Sequence, residues 1–368
     1  MSTPIINNRA ELRTVLENSL KIQEEEIEDE FQTDKKPKSF IIESNIQQEV
    51  MFNKETPVIS FVSNTEDSTL KILKLSQENE NAVYYLDLSD RRFWILHTLD
   101  SSNIAGKLIS KLVTFNPSFL DYPWFSSKSL EEIGKLGKET GFSLKFDNKF
   151  LKPTDNSYEE KLQKISMRFW GGQSNKVINN LRKDENITQG VSLSALGLKY
   201  NTDTGFIKSN ISSTGKFVAM KGDSVDSYFN LISKVKNNYK EFLTILEDNY
   251  RMGYEKKENG FKLSGGYTII EFKKEIEDII SFSEVLTSCS YPFRLWGVYD
   301  VIEKNYVKIN GIDLHTNNKV NIELTPNWMR IFLPKESCGN VISRLFSNLQ
   351  NYFDSQIKLR GNDDEKII

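Results

Sequence analysis

Histidine and cysteine are almost missing from this chain of 368 residues, which has two of each. Cys289 and Cys338 stand far apart in sequence. That excludes a disulfide framework and fits a reducing cytoplasm. No Cys/His spacing suits zinc, so no metal site is expected. His97 and His315 each lie near the end of a strand-like stretch with apolar alternate neighbours, and both read as structural or exposed side chains. Asp313 and His315 share one expected strand face, but the sequence sets no nucleophile beside them. Cys338 precedes an expected helix, a position that lowers a thiol pKa, yet Gly339 after it is equally what a simple helix cap shows. No run approaches ~18 apolar residues, so no membrane span is expected. Residues 1–9 have no apolar signal core, which again points to the cytoplasm.

The phosphate-binding loops are missing too. Residues 212–216 (Ser-Ser-Thr-Gly-Lys) look like the end of a P-loop, but Asn210 stands where the first glycine belongs and Phe217 where Ser or Thr holds magnesium. No Gly-x-Gly-x-x-Gly follows a strand, and no Gly-x-Ser-x-Gly elbow occurs. Nothing in the sequence implies a cofactor.

What is present suffices for a large core: 38% hydrophobic and 11% aromatic residues. The net charge of −3 conceals an asymmetry. Residues 1–56 hold seven Lys/Arg against twelve Asp/Glu, and residues 161–240 hold thirteen against five. Charge imbalance on this scale bears on partners rather than on fold.

The tail organises the reading. Val320–Leu324 alternates as a strand, Thr325-Pro326-Asn327 turns, and Trp328–Leu333 returns. Ser337 is placed to cap a helix whose apolar stripe is Val341, Ile342, Leu345, Phe346, Leu349, Tyr352 and Phe353. Residues 83–113 follow the same order, with Asp100 or Ser101 as cap and Ile104, Leu108, Ile109 and Leu112 inward. A third instance runs through the turn at 211–215 into a long amphipathic helix at 224–250, where Ile232-Ser233-Lys234 echoes Ile109-Ser110-Lys111. The expected class is α+β, with antiparallel sheets each covered by helices and duplicated strand–turn–strand–helix units. The expected divisions are a helical arm and linker at 1–38, a first α+β unit at 39–118, a central basic α+β region at 119–265 and a last α+β unit at 266–368. The arm has Leu12, Val15, Leu16 and Leu20 at helical spacing, followed by an acidic run over 24–30. Further helices are expected at 157–169, 175–182 and 274–288.

Three functions compete. The first is a non-catalytic binding protein whose basic middle contacts nucleic acid. Arg168, Trp170, Lys176, Arg182 and Lys183 mix cations with an aromatic, and Lys199, Lys208, Lys216 and Lys221 continue the series. Cations neutralise phosphates and an exposed aromatic ring stacks on a base. The second is an interaction subunit of a larger complex, docking through residues 1–36 and through strand edges. The third is a magnesium-dependent nuclease with Glu271 and Lys273 in acid-x-lysine spacing, although no aspartate stands on the preceding strand. The first ranks highest, within a microbial complex; lysine- and asparagine-rich usage suits a mobile-element or antiviral-defence factor. No membrane partner is expected.

Overall fold

The computed structural model describes residues 6–25, 35–45, 57–148, 164–184, 187–257, 260–362 and 366–367. The class is α+β. The chain forms two compact units, and each gathers separate segments: Met1–Pro123, Glu132–Gly141 and Ala195–Asn237 make unit 1, while Trp124–Glu131, Phe142–Ser194 and Asn238–Ile368 make unit 2. The stretch 119–265, expected as one central region, is therefore divided between them.

Unit 1 opens with helix α1 (Arg9–Glu25), whose Leu12, Leu16 and Leu20 are buried. Arg9 pins it, pairing with Asp67 at 2.7 Å and Asp87 at 2.6 Å and donating to Thr69 Oγ1 at 2.7 Å. The apolar stripe of the arm is thus used within its own unit. The acidic run beyond Glu25 lies outside the described residues. The sheet contains an antiparallel meander of β2 (Ile59–Asn64), β3 (Leu70–Gln77), β4 (Glu80–Asp87) and β5 (Phe93–Thr98). Helix α2 (Ser102–Phe115) follows and buries Ala105, Leu108, Ile109 and Leu112 against it. Ser101 caps α2 by accepting the Ile104 N–H. A second meander joins β9 (Leu193–Thr202), β10 (Gly205–Ser212) and β11 (Lys216–Gly222). Strand β1 (Lys38–Ser44) lies between the meanders, antiparallel to both β5 and β11. At the β10–β11 turn Gly215 has φ +74°, and a Cβ there would stand 2.4 Å from Pro123 Cγ, so the position demands glycine.

Unit 2 repeats the order in its last part. Strands β15 (Leu295–Glu303), β16 (Tyr306–Asp313), β17 (Lys319–Leu324) and β18 (Trp328–Pro334) form an antiparallel meander that leads into helix α7 (Asn340–Tyr352). Strand β14 (Thr268–Glu271) lies along the first half of β18 and pairs on its far side with β19 (Lys358–Gly361). The expected apolar stripe of α7 is buried except for half-buried Tyr352, and the polar face is buried too, from Asn340 through Gln350. Its hydroxyls reach backbone: Ser343 donates to Trp124 O at 2.7 Å and Ser347 to Phe125 O at 3.2 Å. Arg344, also fully buried, donates through Nε to Phe293 O at 2.8 Å and forms an ion pair with Asp313. Asp313 and His315 do meet, but through the His315 backbone N–H donating to the carboxylate.

Helix α5 (Val225–Tyr250) carries the unit boundary between Asn237 and Asn238. Three segments, β4–β5–α2, β10–β11–α5 and β17–β18–α7, share the strand–turn–strand–helix order. Three expectations are corrected. The helix expected at 157–169 is, over its described part, strand β8 (Lys164–Trp170), in which half-buried Ile165, Met167 and Phe169 alternate with exposed Lys164, Ser166 and Arg168, a period of two. The helix expected at 274–288 shortens to α6 (Ile279–Thr287), because Asp278 caps it by accepting the Ile280 and Ser281 N–H groups. Ser337 does not cap α7; its hydroxyl donates to Lys319 O, and Gly339 is the N-cap.

Candidate nucleic-acid interface

Unit 2 contains a cleft of about 320 Å³ built from four separate segments. Helix α3 (Ser127–Gly134) contributes Lys128 and Glu131, and the C-cap of α4 (Ser174–Leu181) contributes Arg182. The last turns of α7 supply Phe346 and Gln350, and the C-terminal chain brings Lys358 and Lys366. Its walls are tied across elements. Gln356 Nε2 donates to Thr188 Oγ1 at 2.8 Å, Ser355 Oγ to Thr188 O at 2.9 Å, and Ser127 N–H to Gln350 Oε1 at 3.0 Å.

The electrostatics of the cleft are lopsided. The described lining residues include four cations, Lys128, Arg182, Lys358 and Lys366, and a single carboxylate, Glu131. That carboxylate is shared: Arg182 pairs with it, and Lys128 approaches to 3.6 Å. One acid thus orients two cations. Lys358 is exposed, and a planar guanidinium held by one edge still offers donors to an anion. Such a constellation suits a phosphodiester, whose charge two or three cations offset.

The other sequence candidates fall into both units. Arg168, Lys176 and Lys183 are exposed in unit 2, and Trp170 is half-buried at the end of β8. Lys176 shares the solvent face of α4 with Asn179 and Asn180 while Ile178 is buried, and exposed Lys183 follows the C-cap. Phe169 stacks on Phe142 at 5.7 Å, so it belongs to packing. In unit 1, Lys199 and Lys221 both stand directly opposite Lys208 across β9, β10 and β11. This is a row of three lysines in cross-strand register, and like charges so placed repel. Lys199 also lies over the Phe206 ring at 4.4 Å. Lys216 is engaged elsewhere: its Nζ donates to Ser102 O at 3.0 Å and Ser102 Oγ at 2.6 Å, which secures the first turn of α2.

The acid-x-lysine pair is occupied by structure. Glu271, at the end of β14, accepts from Arg360 Nε at 2.8 Å. The Lys273 and Lys274 N–H groups donate to Asp354, a buried carboxylate that also accepts the Gln356 N–H at 2.8 Å. Among the described residues no metal-like cluster of acids, His or Cys includes Glu271. His97 is buried with its Nδ1 2.7 Å from Ser39 Oγ, and burial pushes its pKa down to about 4, so it is neutral at pH 7. No described helix is long and apolar enough to cross a membrane.

Lys128, Lys358 and Lys366 are the cleft residues that the sequence pattern does not single out. They lie outside the basic stretch, and only the fold brings them to Arg182. Comparison with known proteins finds similarity along nearly the whole chain. The protein MJECL33 of Methanocaldococcus jannaschii is 30% identical over 396 aligned positions, covering 96% of this chain and 94% of that one. The family model for MJECL33-like proteins matches residues 1–368, and the chain belongs to that family.

Proposed function

We propose that this protein binds nucleic acid without transforming it, acting within a larger complex, with the cleft of unit 2 as its principal phosphate contact. The observation that carries the reading is that Lys128, Arg182, Lys358 and Lys366 line one cleft whose described lining holds a single carboxylate, Glu131. The lysine row Lys199–Lys208–Lys221 supports it, since a bound polyanion relieves the repulsion within such a row. A nuclease centred on Glu271 draws no support, because that carboxylate holds Arg360.

The test is fluorescence anisotropy of labelled single-stranded and duplex oligonucleotides across roughly 50 to 200 mM salt. Log affinity is expected to fall linearly with log salt. Charge reversal of Lys128 and Arg182 together is expected to weaken binding roughly tenfold or more and to flatten the salt slope. Absence of salt-dependent binding to DNA and RNA alike sinks the reading.

A further inference from the structure

Helix α5 passes without a loop into a hairpin that most of unit 2 leaves alone. Strand β12 (Arg251–Lys257) touches the sheet through two register pairs only, Arg251 with Leu333 and Met252 with Pro334. Its partner β13 (Gly260–Ser264) is the outermost strand and is exposed along its whole length. The base is fixed. Arg251 Nε donates to Glu247 O at 2.6 Å, and a Cβ on Gly265 (φ +74°) would stand 1.8 Å from Arg251 O. Beyond that base the two strands project as a ribbon.

The ribbon has an unusual surface. Tyr254, Phe261 and Leu263 are 71%, 68% and 73% exposed, values that no packed sheet would leave. The register sets Tyr254 opposite Leu263 and Lys256 opposite Phe261, so these four share one face. The Tyr254 and Phe261 rings meet edge to face at 5.6 Å. The other face carries Lys257 and Lys262, with Glu255 paired to Lys257 at 3.3 Å. The lysines are concentrated toward the tip, and Met252 and Leu263 lie toward the base.

We infer that this ribbon is an arm that grips an unpaired stretch of nucleic acid, Tyr254 and Phe261 stacking on bases and Lys256, Lys257 and Lys262 meeting phosphates; the inference rests on the binding reading above. Charge and order along the ribbon select this occupant. A second copy pairing through β13 about a twofold centred on Lys262 would set that lysine opposite itself, which repels. Insertion of the tip into a lipid surface would carry Lys257 in ahead of Phe261 and Lys256 beside it, so the apolar side chain near the tip enters with two charges. An unpaired strand matches both features, since it presents a row of phosphates beside open ring faces, and base–aromatic stacking tolerates any sequence. A duplex hides its bases in the stack, so the aromatic rings discriminate against it.

The experiment uses the full chain with oligothymidylate and oligouridylate about twenty nucleotides long and a duplex of the same length. Tyr254→Ala with Phe261→Ala is expected to lower affinity for the single strands by roughly tenfold or more and to leave duplex affinity and the salt slope unchanged. Tyr254→Trp is expected to restore stacking and to show indole fluorescence quenched by the single strand. Both sites are exposed, so an unchanged unfolding midpoint verifies the fold. If the wild-type chain binds single strands and the double alanine variant binds them equally well, the arm is overturned while the cleft reading stands. If single-strand and duplex affinities fall together, the arm is a general polyanion contact and the preference for unpaired bases is overturned. If the wild-type chain binds neither, and Tyr254 is needed instead for attachment to anionic vesicles, both readings fall.

Discussion

Helices α2 and α7 close meanders of the same order and carry apolar residues at the same spacing, yet they end in different surroundings. Helix α2 buries one stripe, and its Lys107 and Ser110 face solvent. Helix α7 is buried on every side from Asn340 to Gln350. The difference lies in what meets the polar face. Carbonyl oxygens of Trp124 and Phe125 accept from Ser343 and Ser347, so hydroxyls that read as solvent-facing are internal. One buried base from each unit shows a related contrast. His97 in unit 1 is a weak base, and burial keeps it neutral, at about 4. Arg344 in unit 2 cannot release its proton, so it is paired with Asp313. Between these two side chains, intrinsic basicity decides whether burial discharges the group or requires a counter-charge.

The largest effect expected from this contrast is at Arg344. Arg344→Met strands a buried carboxylate and is expected to cost on the order of 3–5 kcal/mol in urea unfolding. A variant as stable as wild type would show that the pair does not seat α7. Next is the acid response of unit 1. The unfolded histidine has a pKa of ~6.5 and the folded one about 4, so the unfolded chain takes up the proton first as pH falls. The His97 contribution is full above about pH 6.5 and is lost progressively toward pH 4, by about 3 kcal/mol at most. His97→Gln is expected to flatten that part of the stability–pH curve; an unchanged slope assigns it to other groups. Smaller again, Ser343→Ala and Ser347→Ala are each expected to cost roughly 1 kcal/mol, while Ser110→Ala on α2 leaves the midpoint in place or raises it slightly. Equal losses at all three serines would erase the distinction between the helices. Least of all, Lys107→Met removes an exposed pair with Glu80 and is expected to leave the midpoint unmoved.

The apolar stripes of α2, α5 and α7 were legible because helical spacing needs only local information. The second burial of α7 was not, because it depends on residues 124–125, more than two hundred positions away in the chain. Strand β8 was misread because Trp170, Phe169 and Ile165 also satisfy a helical spacing when the alternation of Lys164, Ser166 and Arg168 is overlooked. The ribbon at 251–264 gave no strand signal, since its alternate apolar residues are interrupted by glycine and lysine and no core fixes their phase. Of the candidate interface, Arg182 could be found from its basic neighbourhood. Lys128, Lys358 and Lys366 could not, since each lies in a segment of ordinary charge.

Strand β1 has a consequence for synthesis. It leaves the ribosome early and pairs with β5 once Phe93–Thr98 has emerged; on its other edge Glu43 and Ser44 pair with Asp121 and Leu120, but Lys38–Phe40 wait for Lys216–Gly222. At ordinary translation rates that wait is roughly ten to forty seconds. During it the nascent chain displays a raw hydrogen-bonding edge flanked by Phe40 and Ile42, a surface that a chaperone shields or a neighbouring polysome captures. Yield of folded protein should therefore respond to how quickly codons 45–222 are read.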